Sequence, residues 1–194
     1  MLSHQAILRK GTMKILYLPS SLSQQRQFEK TNVKIYPVLM AMEAEWHRNN
    51  NDVVDWDGGI DDYDKIITEP EGLPFLSLPE PDRVFTKAKE YTSGNYKYLP
   101  GTHMQAANGC WHARCSFCCE RGKPYEVRQV NDVLDEVGEC IKLGFKECFD
   151  DSGTFPIGLW LARFAEGMIL RGYNKKIRIG CNMRLDYHHP NLQC

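Results

Sequence analysis

The chain has 194 residues, 42% hydrophobic and 25% charged, enough for one ordinary domain, or one and a half small ones, with a real core, and a disordered tail is excluded. Lys and Arg number 24 against 25 Asp and Glu, a formal net charge of -1, so the total gives no pull toward nucleic acid or an anionic membrane. The longest apolar runs, residues 15–18 and 157–161, fall far short of the roughly 18 to 20 residues of a spanning helix, and no apolar h-region follows Arg9 and Lys10. The reading is a soluble, cytoplasmic chain with no nucleic-acid or membrane partner evident.

Residues 1–12 read as a leader, disordered or upstream of the true start. Residues 14–18 form an apolar strand closed by the Pro19-Ser20-Ser21 turn. Val38, Leu39, Met42, Ala44 and Trp46 follow with helical spacing and no breaker before the asparagines at 49–51. Residues 52–56 read as a second strand ended by Gly58-Gly59, and residues 65–68 as a third. Strand, helix and strand within about fifty residues predict a parallel pair under a covering helix, so residues 13–69 are read as a Rossmann-like unit. Residues 70–100 carry Pro70, Pro74, Pro79 and Pro81 and cannot continue a helix or central strand. Their Leu73, Phe75, Leu76 and Leu78 predict an ordered connector packed on something.

Residues 101–194 open on an extended run at 102–107. A helix is predicted from Val130, Val133, Leu134, Val137 and Ile141, with Gly144 as its stop. Residues 145–149 predict a strand, Pro156 the first turn of a helix striped by Ile157, Trp160, Leu161, Phe164 and Met168, and residues 177–181 a last strand. The fold class is therefore α/β.

The cysteines are the chemical signal. Residues 1–109 contain none, and then Cys110, Cys115, Cys118 and Cys119 arrive within ten positions. That is too close for four disulfide partners and suits thiolates converging on one metal, which implies a reducing compartment. Cys140, Cys148, Cys181 and Cys194 sit singly in helix-like or strand-like text and read as small buried hydrophobes. Three thiolates on one loop can bind three irons of a cubane cluster and leave the fourth open to a small molecule. Zinc held by the same cysteines or by His112 is the structural alternative, a non-catalytic metal-binding module serving as an interaction surface.

The loop Cys110-x4-Cys115-Ser116-Phe117-Cys118 resembles the Cys-x3-Cys-x2-Cys loop of the radical S-adenosylmethionine superfamily, with Phe117 at the aromatic position and a first gap one residue longer. The resemblance covers about residues 101–186. It implies a [4Fe-4S] cluster on Cys110, Cys115 and Cys118, and S-adenosylmethionine cleaved reductively to a 5′-deoxyadenosyl radical. An electron donor such as flavodoxin or ferredoxin is implied too, and the substrate is unknown. Phe117 would help hold the adenine. The turn Asp150-Asp151-Ser152 at the end of the next strand resembles the Asp-Asp turn of cobalamin-associated members and would accept from the ammonium of S-adenosylmethionine; the same residues read equally well as a cap on the helix starting near Pro156. Asn182 and Arg184, after the last strand, would reach the methionine carboxylate, and a surface arginine is the competing reading.

By the same resemblance the N-terminal unit is of cobalamin-binding type. Residues 20–27 hold no histidine or glycine of the lower-axial motif, so cobalamin ligation through histidine is not supported, and a vestigial packing or substrate-side domain is the competing reading. His47, His103, His188 and His189 show no ligand spacing and read as surface or satisfied histidines. The family core has six strand-helix units, whereas two helices follow Cys110 here. The expectation is therefore the first half of a partial (β/α) barrel, a fragment of the enzyme or one part of a split one.

Overall fold

A computed structural model describes residues 12–19, 35–58, 62–91 and 96–184. Residues 1–11 of the expected leader, the 20–27 segment, His188, His189 and Cys194 lie outside the described residues.

The N-terminal unit is a three-stranded parallel sheet in the order β2-β1-β3, built from β1 (Lys14–Tyr17), β2 (Val53–Trp56) and β3 (Lys65–Ile67). The central strand is apolar on both faces, with Ile15, Leu16 and Tyr17 wholly buried, as a covered parallel strand requires. Helix α1 (Val38–Asn49) buries Val38, Met40, Ala41, Met42 and Ala44. Its C-terminal end is closed by Asn50, whose Nδ2 donates to the Trp46 carbonyl at 2.7 Å. His47 is a satisfied core histidine. Its Nδ1 lies 2.8 Å from Asp52 and its Nε2 2.7 Å from Glu71, with 2% of the side chain exposed.

Among the described residues between the sheets, the chain forms two single-turn 3-10 helices, Phe75–Ser77 and Ala88–Glu90. Phe75 and Leu78 are buried as expected, whereas Leu76 is exposed, because one turn cannot turn three consecutive side chains to the same side. The connector is fixed by Arg83, which reaches the carbonyl of His103 at 2.8 Å and the carboxylate of Glu136 at 2.5 Å.

A second parallel sheet, in the order β4-β7-β8, contains β4 (Gly101–Met104), β7 (Glu147–Asp150) and β8 (Arg178–Cys181). The expected single run 102–107 is split. The Ala106 and Ala107 amides are taken by the Asp150 carboxylate and the Ser152 hydroxyl at 2.7 and 2.8 Å, which ends the ladder, and the chain then forms β5 (Ala107–Asn108). This pairs antiparallel with β6 (Glu126–Val127). Helix α2 (Val130–Lys142) buries Val133, Leu134, Val137 and Cys140 and is ended by Gly144 at φ 85°. Helix α3 (Leu159–Leu170) starts three residues after Pro156, not at it, because Gly158 takes φ 69° and marks the entry instead. Trp160 and Phe164 stack with centroids 5.3 Å apart, and Phe155 meets both edge-on. One apolar cluster runs from Ile15 and Tyr17 through Phe75 and Met104 to Phe164 and Ile177, so both sheets share a core. The molecule is α/β with parallel sheets, as expected, and among the described residues no helix is long and apolar enough to cross a membrane.

Candidate functional site

Because β4, β7 and β8 are parallel, the segments leaving them meet at one edge, where ligands of open α/β sheets bind. The turn after β7 is built on Asp150, which is wholly buried. Its Oδ1 accepts the Ala106 N–H at 2.7 Å and the Ser152 hydroxyl at 3.0 Å, and its Oδ2 accepts the Ser152 N–H at 3.2 Å. Burial pushes the Asp150 carboxyl up to about 7 against those hydrogen bonds. Asp150 and Ser152 are thus occupied in holding the turn to the end of β4, and Asp151 is exposed. The capping reading of this turn does not hold, since the N-cap of α3 is Gly158 and no side chain caps it.

The thiol loop, residues 109–125, is tied at its base by the β5–β6 ribbon. Two glycines set its position. Gly109 adopts φ 83°, and a Cβ there would meet the Pro124 carbonyl oxygen at 2.4 Å. A Cβ on Gly153 would lie 2.6 Å from the Gly109 carbonyl oxygen and 3.3 Å from Cys110 Cβ, so the loop and the β7 turn are in backbone contact. Within the loop the Cys118 N–H donates to the Cys115 carbonyl at 3.2 Å, and the Gly122 N–H to the Ala113 carbonyl at 3.0 Å.

Cys110, Cys115 and Cys118 are free thiols and half-buried. Partial burial pushes the Cys110 thiol up, but the backbone N–H groups of Ala113 and His112 and the Arg184 guanidinium outweigh it, and it lies below its ordinary value. Arg184 is no surface arginine directed at solvent. Its Nη1 donates to Cys115 Sγ at 3.7 Å, and its Cζ lies 5.7 Å from the Trp111 ring centroid. The Thr154 hydroxyl, buried beside Cys110, also holds that thiol down. Cys119 is exposed and donates to Glu120 Oε1 at 3.5 Å, so it does not pack. Phe117 is 91% exposed.

Among the described residues no three His, Cys, Asp or Glu side chains stand close enough together to hold a metal ion. By donor chemistry the loop nonetheless fits an iron-sulfur group. It offers three thiols outside any disulfide, one of them acidified and one facing a guanidinium, with a buried hydroxyl alongside. Cys140 and Cys148 are wholly buried on α2 and β7.

A cavity of about 600 Å³ opens beside the loop. Of the residues singled out from sequence, Cys118, Asp151, Ser152 and Asn182 line it, whereas Cys110, Cys115, Phe117, Asp150 and Arg184 do not. Its opposite wall comes from the N-terminal unit, through the start of α1 at Pro37 and Leu39 and through Glu69 and Pro70 after β3. These residues, with Gln105 and Asn108, were not anticipated. The signal available was their place, since Glu69, Pro70 and Gln105 follow directly on parallel strands.

No family model matches the chain. Over 107 residues it is 29% identical to the ribosomal protein uS12 methylthiotransferase RimO of Carboxydothermus hydrogenoformans, a match covering 52% of this chain and 23% of that one. Among solved structures it is similar to the cobalamin-dependent S-adenosylmethionine radical enzyme OxsB with aqua-cobalamin bound, with a TM-score of 0.41 and 15% identity over 86% of this chain and 25% of that one. The chain spans about a quarter of the length of each. With the sequence match, the resemblance to the radical S-adenosylmethionine superfamily stands.

Proposed function

We propose that residues 101–184 form the part of a radical S-adenosylmethionine core that holds a [4Fe-4S] cluster and the cofactor. The reading rests above all on one observation. Three free thiols share a loop whose Gly109 is pressed against Gly153, at the C-terminal edge of a parallel sheet and beside a cavity of about 600 Å³. Cys110, Cys115 and Cys118 would hold the cluster. When bound, it supplies the electron for reductive cleavage of S-adenosylmethionine.

The chain's own residues do the positioning. Asp151, exposed on the cavity wall, would accept from the cofactor's ammonium, and Asn182, which lines the same cavity, would take part in its carboxylate contact. Asp150 and Ser152 keep that wall in place through the Ala106 and Ala107 amides rather than touching the ligand. Arg184 lies against Trp111 with its guanidinium beside Cys115. Phe117, exposed on the loop, is available to cover the adenine.

Anaerobic reconstitution with iron and sulfide tests this on the full chain, alongside a Cys110→Ala, Cys115→Ala, Cys118→Ala variant. About four irons per chain, lost in the variant, are expected. Stoichiometric zinc in place of iron, or iron surviving the triple substitution, overturns the reading in favour of a metal-stabilised binding module.

A further inference from the structure

The other end of the β4-β7-β8 sheet carries a feature that the thiol site does not use. In a parallel sheet the segments entering the strands also gather at one edge, and here those segments are basic. Lys97 precedes β4, Lys146 precedes β7, Lys175 and Lys176 precede β8, and Arg178 opens β8. The register fixes them together. The Lys146 N–H donates to the Pro100 carbonyl at 2.8 Å, and the Arg178 N–H to the Lys146 carbonyl at 2.9 Å. All five side chains are exposed, and none takes part in an ion pair among the described residues.

They line a cavity of about 370 Å³ with Tyr98, Leu99 and Ile177, and no acidic residue lines it. The acidic residue beneath, Glu147, is 5% exposed and turned inward, where its Oε2 accepts the Lys97 and Tyr98 amides at 2.8 Å each. That contact pins the backbone under Tyr98. The Tyr98 ring is 45% exposed, and Lys97 Nζ and Arg178 Cζ each lie 5.9 Å from its centroid. Five like charges on one edge of a chain whose net charge is -1 repel one another. A bound anion relieves that repulsion, and an exposed aromatic among cations is the arrangement that stacks a base while phosphate is neutralised.

We propose that this edge binds a nucleotide, with Tyr98 stacking the base and Lys146, Arg178 and the neighbouring lysines taking the phosphate. The nucleotide is either free or one unit of a single strand. The site lies at the strand starts, roughly 13 Å of strand away from the thiol edge, and is independent of the reading given above for that edge.

The test is fluorescence anisotropy of the full chain with a labelled twelve-residue oligouridylate at 50 to 200 mM salt, with AMP as competitor. Saturable binding is expected, weakened at least tenfold by K146E/R178E and severalfold by Tyr98→Ala. The double variant should also lower the log–log salt slope by about 1.4. Arg121→Glu, on the thiol loop at the opposite edge of the sheet, should bind as wild type. AMP competing at concentrations that saturate its own binding marks a free-nucleotide site, and failure of AMP to compete marks a single-strand site; both support the proposal. It is overturned if the oligonucleotide does not bind, if Arg121→Glu weakens binding as much as the double variant, or if Tyr98→Ala has no effect while a twelve-residue polyglutamate binds equally well. The last result would assign the edge to an acidic protein surface. Circular dichroism melts of each variant confirm that the fold is intact.

Discussion

Arg83 of the connector donates to Glu136 of α2 at 2.5 Å, with 2% and 0% of the side chains exposed. Arg128 completes the cluster from the other side of the same carboxylate. Burial pushes the Glu136 carboxyl up, but the two guanidinium groups prevail and hold it below the ordinary 4.5. Glu136→Ala leaves two buried cations without their partner and should cost about 3–5 kcal/mol of stability in urea unfolding. Because the folded value is depressed, the contribution is complete above 4.5 and is lost as pH falls through the folded value. Wild-type stability should therefore drop below pH 4.5 with a slope that Glu136→Gln lacks. Equal acid sensitivity in the two proteins would remove Glu136 as the cause.

Asp150 behaves in the opposite sense. Its carboxyl is raised by burial from 3.8 to about 7, so the folded state holds a proton that the unfolded state has released. Stability should fall as pH rises from about 4 to 7, by up to roughly 4 kcal/mol. Asp150→Asn cannot ionise, but it turns an amide donor toward either the Ser152 or the Ala106 N–H, at a cost of about 1 kcal/mol. The two proteins should cross at about pH 4.5, with wild type the more stable below it and the asparagine variant the more stable above it. Parallel pH curves would contradict the assignment.

Gly153 has no room for a methyl group against the Gly109 carbonyl oxygen. Gly153→Ala should push the thiol loop off the β7 turn, costing about 1–3 kcal/mol and lowering iron retained after reconstitution. A variant that keeps both its melting temperature and its iron would show that the contact is not needed.

His47 bridges Asp52 and Glu71 inside the N-terminal unit, where Glu71 also accepts the Tyr17 hydroxyl at 3.3 Å. His47→Leu removes the buried partner that both carboxylates share, although Glu71 keeps Lys65 and Tyr17 and Asp52 keeps the Met13 N–H, and should cost about 1–3 kcal/mol. Because the two sheets share one apolar cluster, a single unfolding transition should move for tryptophan fluorescence and far-ultraviolet dichroism alike. Two separated transitions would mean that the units unfold independently.

Much of the element order was legible because the apolar runs are one-sided or wholly apolar in the right lengths. Ile15, Leu16 and Tyr17 announce a covered parallel strand, and Val133, Leu134 and Val137 a helix face. The start of α3 was misread because Pro156 is a common first-turn residue, whereas the positive φ of Gly158 depends on how Phe155 and Trp160 pack. The thiols were legible from spacing alone. The role of Asp150 was not, since two acidic residues in a turn look alike until one of them is buried. The cavity wall at Pro37 and Glu69 comes from residues distant in sequence, and only the meeting of two sheets brings them to Cys118.

The contact between Gly109 and Gly153 also bears on how this chain can change over time. The thiol loop is held by its backbone at the base, through the β5–β6 ribbon and two residues without side chains, while Arg114, Ser116 and Phe117 point outward. A saturation library across residues 109–125 should therefore show sharp intolerance at Gly109, and broad latitude at 114, 116 and 117 when scored by fold. The chemistry at the rim of this loop can then diversify without renegotiating the scaffold that presents it.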